Sequence, residues 1–132
     1  MAKKTPRQRV VKRLDDIVSK YIRERDQACV QCGSQENLTN GHVFSRRAYN
    51  TRWDISKDGN CHTQCWGCNF RHSKDNYEYF HWYVKKFGQD KFESLRFQYR
   101  AIKKYKTPEL EELYEEITNA HKELEHENQS NQ

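Results

Sequence analysis

The sequence predicts a small α+β fold, mostly helical overall, with a core stabilised by zinc. Three observations carry this expectation. Four cysteines fall in two C-x-x-C pairs, Cys29-Val30-Gln31-Cys32 and Cys65-Trp66-Gly67-Cys68, and each pair can supply two thiolates from one tight knuckle. Only 34% of the 132 residues are hydrophobic while 33% are charged, so the apolar core is small and metal binding would add directly to folding free energy. Elsewhere, apolar residues recur at the three- and four-residue steps of amphipathic helices.

Taken in order, residues 1–6 form a short basic tail, expected to be disordered. From Arg7 to about Arg25, Val10, Leu14, Ile17 and Tyr21 mark one apolar helix face, which suits a scaffold helix over the metal core. Leu38 to Ser45 reads as a strand or hairpin with Asn40-Gly41 as its turn signal, and Asn60 to Gln64 as a second strand. The second knuckle leads towards a helix from roughly Lys74 to Phe87, with Gly88 as its stop. Another follows, with Phe92, Leu95, Tyr99 and Ile102 on one stripe, and these aromatic stripes read as packing.

Thr107-Pro108-Glu109 opens a last helix reaching about His126. Its Leu110, Leu113, Ile117, Ala120 and Leu124 have the spacing of a short coiled-coil seam. That seam suits either a homodimer or folding back on the same chain, and Asn128 to Gln132 are expected to be disordered. Three regions follow: a basic tail and helix (1–25), a zinc-bound core with its following helices (26–106) and an acidic C-terminal helix and tail (107–132).

The net charge of +5 conceals an asymmetry. Residues 1–106 hold 23 Lys+Arg against 11 Asp+Glu, a net of +12, whereas residues 107–132 hold one lysine and eight glutamates, a net of −7. The basic body suits a polyanion such as DNA. No apolar run reaches membrane-spanning length, and Met-Ala-Lys-Lys-Thr-Pro lacks the hydrophobic region of a secretory signal. Five cysteines in zinc-style pairing fit a reducing compartment, so the expectation is an intracellular protein without a membrane partner. Cys61 is the leftover thiol, expected to pack as a small hydrophobe.

A structural zinc knuckle has no need of His42, Asn60 or Asn69, but phosphodiester hydrolysis uses groups of those types. A neutral imidazole can take a proton from water near neutral pH, and an asparagine carbonyl oxygen is a hard ligand suited to Mg²⁺ or Mn²⁺. Gly41-His42, Asn60 and Cys65-x-x-Cys68-Asn69 resemble the three marks of the HNH, or ββα-metal, nuclease motif. Asparagine replaces the final histidine, as in phage endonuclease VII. More closely, the string from Tyr21-Ile-Arg-Glu-Arg-Asp through Cys29-x-x-Cys32-Gly33, Gly41-His42, Arg52-Trp53 and Asn60-x-His62-x-Gln64-Cys65-x-x-Cys68-Asn69 to Phe87-Gly88-Gln89 resembles the phage NinG/Rap recombination proteins. The resemblance covers about residues 21–95.

It implies a treble-clef core and a metal-dependent DNA endonuclease acting on branched recombination intermediates, Holliday junctions or D-loops. His42 would be the general base, Asn60 would orient the imidazole or brace its loop, and Asn69 would bind the catalytic Mg²⁺ or Mn²⁺. Cys29, Cys32, Cys65 and Cys68 would hold the structural zinc. Many HNH sites carry an aspartate where this chain has Gly41, so another group must complete the metal shell. His62 is the first candidate, as ligand or as second-shell or phosphate-contacting residue, and His72 a further one. Arg46, Arg47 and Arg52 lie between base and Asn60, and Arg71 and Lys74 just past Asn69. These are the expected phosphate contacts, Arg52 first. Two other readings stand beside this one: a general HNH nicking endonuclease, and a non-catalytic zinc module that binds nucleic acid.

Overall fold

A computed structural model describes residues 2–130 of the chain. The first half runs α1 (Pro6–Asp26), β1 (Leu38–His42), α2 (Tyr49–Arg52), β2 (Cys61–Cys65) and α3 (Trp66–Lys74). The second half is helical throughout: α4 (Tyr77–Phe87), α5 (Gln89–Arg100) and α6 (Thr107–Ser130). The architecture is α+β and mostly helical, with one antiparallel two-stranded sheet among the described residues.

The register fixes what each strand face can do. Asn40 pairs with Thr63 and His42 with Cys61, while Gly41 pairs with His62 and Thr39 with Gln64. Side chains alternate along a strand, so Asn40 and His42 share one face and Gly41 and His62 the other. Of the two forms expected for this stretch, strand or hairpin, it is the strand, and Asn40-Gly41 lies in its interior and not at a turn. Gly41 leaves room for the buried Gln64 side chain: a Cβ there would lie 2.1 Å from Gln64 Oε1, so Gln64 would have to shift.

α1 starts with a reciprocal cap. Thr5 Oγ1 accepts from the Gln8 N–H at 3.1 Å, Gln8 Oε1 accepts from the Thr5 N–H at 2.8 Å, and Pro6 takes the first turn. The ordered chain therefore reaches back into the tail expected to be disordered. Val10, Leu14, Val18 and Ile22 bury the apolar stripe of α1 against Trp53, Cys61, Leu110 and Ile117. Its partner is α6, and the two run parallel. Arg7 Nη1 donates to the Tyr105 carbonyl near the start of both, Arg13 lies over the Tyr114 ring, and His121 meets Glu24 towards the end of α1.

Of the two uses expected for the α6 seam, the structure shows folding back on the same chain, with Leu110 and Ile117 buried. The acidic α6 lies along a helix with seven Lys and Arg, although the charged side-chain contact described between them is His121 with Glu24. Helix α6 continues through Ser130, so residues 128–130 are helical rather than disordered, and the rest of that expected tail lies outside the described residues.

A second core gathers Val43, Phe44, Tyr79, Tyr83 and Leu95, with Phe80, Trp82, Phe87, Phe92 and Tyr99 against it. Phe44 meets Phe80, Phe92 and Tyr99 at centroid distances of 5.1, 5.4 and 5.0 Å, so the aromatic stripes of α4 and α5 pack as expected. Ile102 falls outside that stripe at 93% exposure, because α5 ends at Arg100. Among the described residues no helix is long and apolar enough to cross a membrane.

Candidate active site and metal centre

The two knuckles close on one another. The Gly33 N–H donates to the Cys29 carbonyl at 2.9 Å, with Gly33 at φ +80°, a turn conformation that a residue with a Cβ adopts only under strain. Cys65 caps α3, its sulfur accepting from the Cys68 N–H at 3.5 Å. The sulfurs of Cys29, Cys32, Cys65 and Cys68 all lie within 4.8 Å of one another, and those of Cys32 and Cys65 are 3.7 Å apart. A tetrahedral zinc–thiolate shell has sulfur–sulfur edges of about 3.8 Å. The donor set therefore fits a metal ion, and its all-sulfur chemistry is the one that suits zinc. Burial raises the Cys29 pKa, but N–H groups of Cys65, Cys32 and Gln31 outweigh it and hold the thiol down to about 7. Cys61 faces away from this cluster, fully buried, its S–H donating to the Arg52 carbonyl at 3.3 Å.

Beside the knuckle, α1, β1 and α3 enclose an open groove of about 920 Å³. Asp15, Asp16 and Ser19 form one wall, Asn40 and His42 line the middle, and Asn69, His72 and Ser73 form the other wall. Each of four side chains keeps a lone pair unused. His42 Nε2–H donates to the Arg52 carbonyl at 3.0 Å, which leaves Nδ1 as the basic nitrogen. Burial pushes the His42 pKa down to about 4, against the pull of that carbonyl, so the ring is neutral near pH 7. Asn69 Nδ2 donates to Thr39 Oγ1 at 2.9 Å, which leaves its Oδ1 as an acceptor. His72 Nε2–H faces the carbonyls of His42 at 2.9 Å and Val43 at 3.1 Å, and its buried Nδ1 has no partner. Asn40 Oδ1 is likewise buried without a partner. Orphaned acceptors of this kind are costly unless something occupies them.

Asn60 is fully buried, and its amide brackets one residue: Nδ2 donates to the Phe44 carbonyl and Oδ1 accepts from the Phe44 N–H, both at 2.8 Å. The Val43 N–H also donates to the Asn60 carbonyl at 2.8 Å. Of its two expected roles it therefore takes the second, bracing the backbone just after His42.

His62 stands apart from the groove. Strand alternation turns it to the opposite face, where Nε2–H donates to the Gly59 carbonyl at 2.7 Å and Nδ1 faces Arg25 Nη2 at 3.4 Å. Its ring is enclosed by Trp82, Tyr83 and Phe87, and burial drives its pKa down to about 4. With both nitrogens engaged and its ring enclosed outside the groove that Asn69 lines, His62 is a packing residue. The expectation that it completes a metal shell with Asn69 is corrected by this placement.

The arginines separate in the same way. Arg52 donates twice to Asp15, at 2.9 and 2.6 Å, and lies over the rings of Tyr49 and Trp53. Its guanidinium is thus committed inside the protein, which corrects its standing as first choice for phosphate. Burial would raise the Asp15 pKa, but the hydrogen bonds from Arg52 and Trp53 and the charges of Arg52 and Arg46 hold it below the usual range. Arg46 is exposed at the groove mouth, 3.7 Å from Asp15. Arg47 is exposed beside Arg100 and Lys103, and Arg71 and Lys74 are exposed on α3.

Asn40 is the groove residue that sequence reasoning passed over. Reading Asn40-Gly41-His42 as a strand, with alternate residues on one face, would have placed Asn40 beside His42.

A family model described as "Bacteriophage Lambda NinG protein" matches residues 1–127. The chain belongs to the NinG family. No curated protein and no solved structure matches it. The groove and the four-cysteine cluster are thus features of a phage NinG-family protein, and both fall within the matched residues.

Proposed function

We propose that this NinG-family chain is a metal-dependent DNA endonuclease of the HNH type, acting on branched recombination intermediates such as Holliday junctions or D-loops. The observation that carries the reading is the convergence of His42, Asn69, His72 and Asn40 on one groove beside a four-cysteine cluster, each with a lone pair left over. The order β1, β2, α3 around them supports likeness to the ββα-metal nucleases and to phage endonuclease VII.

In this reading His42 Nδ1 takes the proton of the attacking water, its Nε2–H held by the Arg52 carbonyl so that the lone pair stays oriented. Asn69 Oδ1, with His72 Nδ1 and Asn40 Oδ1, would hold Mg²⁺ or Mn²⁺, which stabilises the charge developing on phosphate and leaving oxygen. Those three donors are neutral, so an ion held there would need negative charge from elsewhere, which the DNA phosphate would bring. Arg46, at the groove mouth, neutralises a neighbouring phosphate, with Arg47, Arg71 and Lys74 further along the surface. The four cysteines hold zinc as scaffold.

The test is incubation of the purified protein with labelled four-way junctions, D-loops and linear duplex in Mg²⁺ or Mn²⁺. Junction-selective cuts that His42→Ala abolishes, and that Asn69→Ala weakens, are expected. Equal cleavage of every substrate would point to a general nicking enzyme. The all-neutral donor set favours a second reading, a non-catalytic zinc module that binds nucleic acid, and binding without any cleavage would establish it.

A further inference from the structure

One face of α3 carries a ladder that the groove does not use. Trp66, Phe70 and Lys74 follow at four-residue spacing on the helix surface. The Trp66 and Phe70 rings stack at 5.2 Å and 10°, and the Lys74 ammonium lies 5.4 Å from the Phe70 centroid. Trp66 is 62% exposed and Phe70 48%, in a chain with little apolar surface to spare for its core. Arg71 is also exposed on this helix, 3.2 Å from the Cys68 sulfur and 3.9 Å from Glu78. The ladder is rigidly placed: the Trp66 N–H donates to the Asn37 carbonyl at 2.9 Å, and Trp66 directly follows the knuckle cysteine Cys65.

We propose that the Trp66–Phe70 stack is a platform for an unpaired nucleobase, with Lys74 and Arg71 receiving the phosphates that flank it. The aromatic plane matches a base face, and the cations beside it match the charge that every nucleotide brings. A paired base inside a duplex cannot reach such a platform, because its faces are covered by its neighbours. The same short helix presents Asn69 and His72 to the groove, so a strand held on the ladder is held beside the groove. This platform rests on the DNA reading above and deepens it, since it selects DNA with unstacked bases, as at a branch point or a single-stranded flap.

The experiment uses the full chain and two probes. One is a duplex with a single-stranded flap carrying 2-aminopurine, and the other a blunt duplex of the same length. Trp66→Ala and Phe70→Ala should each weaken flap binding by roughly ten-fold or more while changing blunt-duplex binding less than two-fold. Trp66→Tyr should restore most of the loss, whereas Trp66→Leu, which keeps the apolar contact, should not. Lys74→Gln should lower the salt dependence of flap binding by about one released counterion. The 2-aminopurine signal should respond to wild type and lose that response in Trp66→Ala. Circular dichroism and zinc content identify any variant that fails to fold, and Trp66→Leu then decides the matter.

Equal losses on both probes, or no loss on either, would overturn the platform. Wild type that binds no nucleic acid would overturn the functional reading beneath it. Wild type that cuts junctions while the Trp66 and Phe70 variants bind normally would overturn the platform alone.

Discussion

Arg52 offers the sharpest division between a residue that touches DNA and one that holds the protein together. Its guanidinium makes two charge-assisted hydrogen bonds to Asp15 at 2.9 and 2.6 Å, and Trp53 Nε1 donates to the same carboxylate at 2.8 Å. Side chains at this pair are only 17% and 22% exposed. Arg52→Ala would strip Asp15 of its main counter-charge while leaving it largely out of water. Removing one partner of a fully buried pair costs about 3–5 kcal/mol, and partial exposure with Trp53 still in place brings the expectation to about 2–3 kcal/mol. In a chain of this size that is a fall in melting temperature of roughly 6–12 °C.

The assay is paired: thermal unfolding, and DNA affinity on a four-way junction from 50 to 200 mM salt. We expect the melting temperature to drop while the slope of log K against log[salt] stays unchanged, because Arg52 neutralises no phosphate. A variant with wild-type stability whose slope falls by about 0.9 would refute the reasoning and return Arg52 to the DNA surface. Arg46→Ala should show the reverse pattern, since it is 60% exposed at the groove mouth.

Three further outcomes follow from the geometry. Asn60→Ala leaves the buried N–H and C=O of Phe44 both without their partner, so it should cost about 2–3 kcal/mol by urea titration while zinc content stays near wild type. His62 carries a folded-state pKa of about 4 against the ordinary 6.5 of an unfolded chain, so the unfolded state takes up the proton first as pH falls. Its stabilising contribution is therefore complete above pH 6.5 and lost progressively towards pH 4, about 3 kcal/mol in all. His42 titrates in the same window, so His62→Phe should roughly halve the steepness of that part of the stability–pH curve; an unchanged curve would contradict the assignment. Gly41→Asp restores the acid common in HNH sites, yet its Cβ would lie 2.1 Å from Gln64 Oε1 and its carboxylate would face away from His42. We expect reduced stability and no gain in Mn²⁺ affinity by titration calorimetry, and tighter Mn²⁺ binding would show that the strand face was misassigned.

Much of the scaffold was legible because it is written in local spacing. The cysteine pairs, the apolar face of α1 and the Gly88 stop each depend on residues a few positions apart, although the fully buried stripe is Val10, Leu14, Val18 and Ile22, with the expected Ile17 and Tyr21 only partly buried beside it. The Thr5-Pro6-x-Gln8 cap was equally local, but it hid inside a segment judged by its charge. What failed depended on register. His62 and His42 look interchangeable as neighbours of the knuckles, and only the pairing of His42 with Cys61 shows that they face opposite sides. Arg52 could not be resolved either, since its partner Asp15 lies 37 positions earlier on another element. Gly41 read as a missing ligand, whereas it is the space through which Gln64 passes.

The parallel contact between α1 and α6 also bears on how the chain is made. Ile22 and Ile117 belong to one apolar cluster but leave the ribosome 95 residues apart. At roughly 5–20 residues per second, the stripe of α1 waits some 5–20 s for its cover. During that interval the knuckles and the sheet can close, since all their parts emerge before Ala101. With zinc as the ion of the four-cysteine cluster, as proposed, its supply during synthesis would decide whether the nascent α1 meets a finished platform or an open, sticky one. Loss of soluble yield in metal-starved cells is the expected signature, and it should be far milder when zinc is restored before synthesis than after.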